Sequence, residues 1–432
     1  MKKIFLLLII SLAILMVGCG KTQIITEEEI NIEESMNEYI DSLISSTTSY
    51  IPSWNKEGFK GRWNYIDGVF LNSIVNLYEQ TKDEKYKEFF LNYIDYYIDD
   101  KGDFIHPENK KSNFKSGELD SICCSRILFD AYNYTSNIKY KNAINKSYYE
   151  LIKIPKAEGT NNFWHKVSYP NQIWLDGMYM YVPFLARYAK TYANEYNKLD
   201  KIYGELVEQY RYIRNNMFNE DLGLYYHGHD TTKTIFWADE KTGNSGSFWL
   251  RSMGWYLVSL VDVLEYLPDG NDKEYLIGLL KEGIDGILKY IDEESKMFYQ
   301  LVDLGNVEVN VKSTYLEGLK NTKYMVDGKY VDTVISNYLE SSGSSMIAYC
   351  LLKGSRLGIY NYEKLGKQVF EGIYKHSFNN NELADICITA GLGPENNMHR
   401  DGSNSYYLAE PVGKNDAKGV GPFIMAYLEY IR

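Results

Sequence analysis

The sequence predicts an all-α fold built as a toroid, an inner ring of helices inside an outer ring. Apolar residues recur at three- and four-residue spacing in about twelve segments. Short turns alternate with long loops rich in glycine and aromatic residues between them. No βαβ pattern, strand spacing or low-complexity linker divides the chain, so a single domain is expected over residues 28–432. A helical solenoid is the alternative, but no internal repeat is visible. A toroid gathers its longer loops at one end of the inner ring, where a pocket collects residues far apart in sequence.

The elements follow in order. Residues 27–45 read as an amphipathic helix with Ile30, Met36, Ile40, Leu43 and Ile44 inward, and 54–63 as a polar, aromatic loop. Helices are expected at 65–80 and 84–98, then a turn at 99–102. Gly117 is expected to open the helix GELDSICCSRILFDAYNYT, and another spans 140–152. After a long loop comes 171–190, NQIWLDGMYMYVPFLARYAK, where Leu175, Met178, Val182, Leu185 and Ala189 form a core-facing stripe. Residues 197–217 are helical, and 219–230 read as a turn and an extended segment. Helices at 247–267 and 273–290 form a hairpin, with Pro268 stopping the first. Residues 297–312 read as irregular, 341–352 and 363–376 as a later helical pair, 388–409 as loop with short strand, and 419–431 as the last helix.

Hydrophobic residues make up 45% of the chain, enough for a sizeable core. The formal net charge of -12 argues against nucleic acid or an anionic membrane face as a partner. An acidic substrate would need local cations in its pocket. Residues 1–18 read as an export signal: Lys2 and Lys3 precede an apolar run too short to span a membrane, and Met16-Val17-Gly18-Cys19 has the form of a bacterial lipobox. Cys19 is then expected to carry the lipid anchor, with 19–27 as a tether, making the protein an exported, membrane-anchored lipoprotein. Cys123, Cys124, Cys350 and Cys387 have neither CxxC spacing nor a histidine at metal-binding distance, so no metal site or cofactor is expected. Cys123 and Cys350 lie in apolar helical stretches and read as buried thiols.

Polar residues stand among aromatics in five places: Asp120; His165-Lys166; Asp176; His227 with His229; and Trp249, Arg251 and Trp255. Asp176 at a helix start can simply complement the helix dipole, but the His-Lys pair and the flanking Trp164, Tyr169 and Trp174 suit a site. For Asp120 a first-turn helix acid is the plain alternative, for Trp255 core packing, for Met180 core filling and for Lys166 a solvated loop lysine.

The blocks IWLDGMYM, LGLYYHGHD, FWLRSMGW, YLESSGSSMIAY and RDGSNSYYLAEPVGKNDAKGVGPF together resemble the unsaturated rhamnogalacturonyl hydrolases, glycoside hydrolase family 105, in that family's order. The related unsaturated glucuronyl hydrolases, family 88, are the close competitor. The resemblance runs from about residue 39 to 430 and implies an (α/α)6 toroid, in agreement with the helix pattern. It implies removal of a 4,5-unsaturated uronic acid from the non-reducing end of a lyase-generated oligosaccharide by hydration of the double bond. It makes Asp176 the acid and then the base, and Asp120 the second carboxylate. His165, Lys166, Met180 and His227 would line the substrate pocket, Arg251 would hold the uronate carboxylate, and Trp249 and Trp255 would wall the site. Two departures stand out. His229 replaces a tryptophan, and Arg251-Ser252-Met253-Gly254-Trp255 replaces RGNGW, which leaves the neighbouring sugar open between rhamnose and the units of ulvan-type or glucuronate glycans. A catalytically silent glycan-binding lipoprotein and an inverting glycosidase on saturated chains are the other readings.

Overall fold

Helices that are apolar all round belong inside a fold, and amphipathic ones belong on its outside. Both kinds are present, and they alternate along the chain. In a computed structural model, which describes residues 31–47, 52–55, 62–193 and 200–432, the helices are α1 (Ile32–Ser45), α2 (Tyr65–Thr81), α3 (Glu84–Asp95), α4 (Asp120–Cys123), α5 (Leu128–Thr135), α6 (Ile138–Ile152), α7 (Leu175–Tyr192), α8 (Asp200–Met217), α9 (Leu250–Val263), α10 (Asn271–Ile287), α11 (Ser313–Gly318), α12 (Ser341–Arg356), α13 (Glu363–Ser377), α14 (Asn404–Ala409) and α15 (Ala417–Tyr430). The export signal, Cys19, the tether and the first residues of the 27–45 helix lie outside the described residues, as does part of the 54–63 loop.

The inner ring closes on itself. α2 packs beside the broken helix α4–α5, α4 beside α7, α7 beside α9, α9 beside α12, α12 beside α15, and α15 again beside α2. Every residue of α9 is buried, as are Ser341 to Gly354 of α12. The outer helices α3, α6, α8, α10 and α13 each pair with an inner one. This is the expected six-hairpin arrangement. The ring leaves little space between backbones: a Cβ on Gly68 of α2 would lie 2.6 Å from the Cα of Cys124. Side-chain caps sharpen several starts, with Asn64 accepting from the backbone N–H groups of Ile66 and Asp67, and Asp416 from that of Lys418.

The structure corrects several boundaries. The helix expected from Gly117 begins at Asp120, because Gly117 takes a positive φ of 78°, and a 3-10 turn at Cys124–Ile127 interrupts it. The stretch 171–190 opens with a strand, Gln172–Trp174, paired antiparallel with Gly228–Asp230. The segment read as irregular contains Glu308–Val311, paired with Thr333–Ser336, and the loop at 388–409 ends in α14. The block 415–421 closes the barrel: Asn415 accepts a hydrogen bond from the Tyr39 hydroxyl at 2.7 Å, and Ala417 donates to the carbonyl of Trp54 at 2.9 Å. Cys123, Cys124, Cys350 and Cys387 are free and buried.

At the end of the ring formed by the last turns of the inner helices, Asp262 holds Arg126 and Lys353, each at 2.8 Å, and the hydroxyl of Tyr349. This cluster ties α9 and α12 to the 3-10 turn that carries Arg126. The other end carries the long loops.

Candidate active site

Asp176 owes its position to the strand before it. Trp174 pairs with Gly228, and the Leu175 N–H donates to the His227 carbonyl at 3.0 Å, so the chain enters α7 with His227 alongside. No side chain caps α7, and Asp176 occupies its first turn, where the open backbone N–H groups favour a negative charge. The residue is 9% exposed. His227 Nε2 lies 3.0 Å from its Oδ2 without a hydrogen bond between them, and the other ring nitrogen is 2.6 Å from the hydroxyl of Tyr407. Tyr407 sits in α14, 180 residues further along the chain.

Asp120 approaches from the broken helix. Its Oδ2 accepts a contact from Lys166 Nζ at 2.6 Å, and its Oδ1 lies 3.5 Å from His165 Nε2. Burial pushes the Asp120 carboxyl up, but the charge and hydrogen bond of Lys166 beside it outweigh that and hold the group below its ordinary value. Lys166 is raised: burial disfavours its charge, and Asp120 more than compensates. His165 is lowered to about 4 by burial, against the pull of Asp120. At neutral pH the set is therefore an ionised Asp120, a charged Lys166 and a neutral His165. The glycine after Asp176 allows this closeness, since a Cβ on Gly177 would stand 3.0 Å from Leu119 Cδ1 and 3.3 Å from His165 Nδ1.

These groups share a cavity of about 150 Å³, on the scale of one monosaccharide, lined by Tyr65, Asp120, His165, Lys166, Tyr169, Trp174, Asp176, Met180, Thr389, Ala390 and Arg400. One wall is a stack: Tyr169 on Trp174 at 5.0 Å, and Trp174 on His165 at 4.4 Å. Aromatic faces of this kind suit the apolar face of a sugar ring. Larger surface crevices exist, including one of about 590 Å³ beside α13, but it does not hold the Asp120–Asp176 set.

Asp176, Asp120, His165, Lys166 and Met180 thus come together on the cavity wall. The other residues singled out in the sequence stand behind it. His227 is fully buried and backs Asp176. Trp249 donates its indole N–H to Gln300 at 3.1 Å and stacks on Tyr407. Trp255 stacks on Tyr179 at 4.4 Å within the core. Arg251 is 1% exposed, and its guanidinium is turned to the Cys387 carbonyl, to Ser342 Oγ at 3.2 Å and toward Glu340 at 3.9 Å. His229 faces Asn244 at 2.9 Å and Tyr212 at 3.3 Å. Tyr65, Thr389, Ala390 and Tyr407 carried no signal in the sequence. Among the described residues there is no group of three or more histidine, cysteine, aspartate or glutamate side chains that could hold a metal ion.

The chain has clear relatives. It is 32% identical to a family 105 glycoside hydrolase of Clostridium acetobutylicum (C. acetobutylicum ATCC 824), with a TM-score of 0.76 over 93% of this chain and 99% of that one. An unsaturated glucuronyl hydrolase from Streptococcus agalactiae shares the fold at 13% identity, with a TM-score of 0.58 over 93% of this chain and 91% of that one. The 24.9 kDa protein in the picA locus of Rhizobium radiobacter is 33% identical over 218 residues, 48% of this chain and 82% of that protein. The family model described as Glycosyl Hydrolase Family 88 matches residues 39–334 and 331–432. The chain belongs to glycosyl hydrolase family 88, and the family 105 glycoside hydrolases are its structural neighbours.

Proposed function

We propose that the protein removes a 4,5-unsaturated uronic acid from the non-reducing end of oligosaccharides released by a polysaccharide lyase. The observation that carries this is the one-sugar cavity with two unlike acids. Asp120 is paired with Lys166 at 2.6 Å, and Asp176 is the other carboxyl on the wall, to which we assign the role of proton donor. Asp176 protonates C4 of the double bond, and positive charge develops at C5, where the ring oxygen shares it. The resulting carboxylate then takes a proton from water as that water adds to C5. The hemiketal so formed opens and releases the shortened sugar. His227, braced by Tyr407, keeps Asp176 in place.

The neighbouring unit is a neutral sugar, with rhamnose of rhamnogalacturonan the first choice. A groove of about 690 Å³, lined by Asn171, Gln172, Asp230, Thr232, Thr234, Glu395 and others, begins beside the cavity. Gln172 and Trp174 lie two apart on one strand, hence on one face about 7 Å apart. The groove lining carries two carboxylates and no lysine or arginine, which disfavours a sulfated or uronate neighbour.

The test is ultraviolet absorbance of the unsaturated uronate during incubation with lyase-digested rhamnogalacturonan, ulvan and glucuronate glycans. The expected result is a fall that is fastest on rhamnogalacturonan and absent in Asp176→Asn. No fall on any digest, with the protein folded, refutes the reading. We also propose export and lipid anchoring at Cys19, supported by Lys2, Lys3 and the apolar run before that cysteine. Recovery in the membrane fraction should be lost in Cys19→Ala, and unchanged recovery would count against the anchor.

A further inference from the structure

We propose that the hairpin formed by Met325–Val326 and Lys329–Tyr330 is a docking surface for an acidic polysaccharide, a chain of uronate units, apart from the sugar cavity. This adds a binding site to the reading above, and its test reads binding separately from turnover. The hairpin turns on Asp327 and Gly328, whose φ values of 49° and 75° make the tight two-residue loop that an Asp-Gly pair favours. A two-stranded hairpin is marginal alone, and this one is mounted on its surroundings. α11 packs beside Lys329–Tyr330, Asn321 Nδ2 donates to the Ala409 carbonyl at 2.7 Å, and Asp332 accepts from the Ser313 N–H at 2.8 Å. Tyr324 and Tyr330 are half-buried against the cluster that holds Trp249. Beyond them the tip is open, with Val326 55% exposed.

The charge of this tip is opposite to that of the body. The chain carries a net charge of -12, yet residues 320–330 hold three lysines against one aspartate. Lys320, Lys323 and Lys329 are all exposed, and among the described residues none of them has a carboxylate within ion-pair distance. Lysines on the nearby outer helices behave differently: Lys273 lies 2.9 Å from Asp269, and Lys367 2.8 Å from Glu363. Lys323 stands instead 5.3 Å over the Tyr324 ring. Lysine followed by tyrosine thus occurs twice, once on each side of the tip. A uronate chain offers the matching pair of features, carboxylates for the ammonium groups and apolar ring faces for the tyrosines. Each exposed pair is weak, but a chain with many carboxylates meets several at once. A second copy docked tip to tip would set lysine against lysine. A flat anionic bilayer would meet the acidic body as well, whereas a single chain touches the tip alone. The same excursion holds Asp401 through the Tyr315 hydroxyl at 2.5 Å, and Glu395 and Asn396 of that stretch line the groove. A chain held on the hairpin is therefore kept at the end of the ring that carries the cavity.

The experiment measures binding to polygalacturonate, to neutral galactan and to vesicles containing phosphatidylglycerol, at about 50 and 300 mM NaCl. It uses the wild type, the double variant Lys323→Gln/Lys329→Gln and the charge-keeping Lys323→Arg/Lys329→Arg, with thermal melts to verify folding. The wild type should bind polygalacturonate, more weakly at the higher salt, and should not bind galactan. The glutamine variant should raise Kd by about 3–10-fold, the scale of two exposed charge pairs, and the arginine variant should keep the wild-type value. Turnover of the unsaturated disaccharide should stay within about twofold in both, as expected for surface changes away from the cavity. Four results overturn the assignment: no binding by the wild type, equal binding by the glutamine variant, equal affinity for galactan, or binding to the vesicles alone, which marks a lipid surface. Should the glutamine variant fail to fold, the arginine variant and the salt series decide: binding insensitive to salt overturns the proposal. A wild type that binds polygalacturonate but turns over no unsaturated disaccharide supports the docking surface and refutes the enzymatic reading instead.

Discussion

Replacing Asp262 by asparagine should destabilise the protein while sparing its chemistry. Asp262 is 4% exposed, and its two oxygens hold Arg126, Lys353 and Tyr349. Burial raises its carboxyl, but Lys353 and Arg126 pull it down to about 2. Against the ordinary value of 3.8, that depression corresponds to about 2.5 kcal/mol. Asparagine keeps the shape and removes the charge. Two cations, 7% and 4% exposed, then lose their shared counter-charge, and an N–H2 can face the Arg126 donor. Breaking a buried pair in this way costs about 3–5 kcal/mol, and the lower end applies because Lys353 keeps Glu265 at 2.5 Å. With about 2.1 cal/mol/K of unfolding entropy per residue, 432 residues give about 0.9 kcal/mol/K, so 3 kcal/mol lowers Tm by about 3–4 °C. Asp262 lies eleven residues along α9 from Arg251, about 16 Å of helix, so turnover at 25 °C should be unaffected. Calorimetry at pH 7 measures the gap. Because the folded carboxyl is depressed, its contribution is complete above about pH 4 and fades as pH falls toward 2. The gap should therefore hold steady from pH 8 to 5. A shift below 1 °C at pH 7 would refute the claim that this cluster is worth its burial.

Other expectations follow from the site. His165 is buried neutral, with its ring lowered to about 4 from 6.5, so the unfolded chain takes up a proton that the native state refuses. Stability should fall by up to about 3 kcal/mol as pH drops from 6.5 to 4, and His165→Asn should flatten that slope in melts across the range. Tyr407→Phe removes the 2.6 Å partner of His227 and should lower kcat by about 5–10-fold with KM little changed; an equal rise in KM would show that Tyr407 shapes binding instead. Hydration by a carboxyl and a water requires no ion, so activity should survive chelation. Loss in chelator, restored by a divalent ion, would mean that the chemistry has been misassigned.

The inner helices were legible because they are long and apolar on most faces, which leaves period and length in agreement. α7, α9 and α12 were all visible this way, and so was the pairing of acid and aromatics around Asp176. The broken helix was not. Its 3-10 turn at Cys124–Ile127 changes no residue pattern, and Gly117, which reads as the opening of the helix, stands in the loop before it. The excursion between α10 and α12 was missed because its strands are two to four residues long, too short to show alternation. The site was half legible for a different reason. Arg251 between two tryptophans looks like a pocket wall, yet which face of a fully buried helix meets a cavity depends on neighbours far away. Here those neighbours are Cys387 and Ser342, and the brace on His227 arrives from Tyr407. Long-range partners of this kind leave no local trace.

The contact between α2 and α15 has a consequence for how the protein is made. The ring closes by joining a helix ending at Thr81 to one beginning at Ala417. A ribosome adding about 5–20 residues per second needs roughly 20–70 s to travel from one to the other. Throughout that interval the side of α2 that meets α15 has no final neighbour, and the gap between the first and sixth hairpins stays open. Pairing across such a separation is also the slowest kind of contact to form. Nascent chains stalled short of α15 should therefore be bound by chaperones and cut readily by protease within the first hairpin, and should become resistant only once the last helix has emerged.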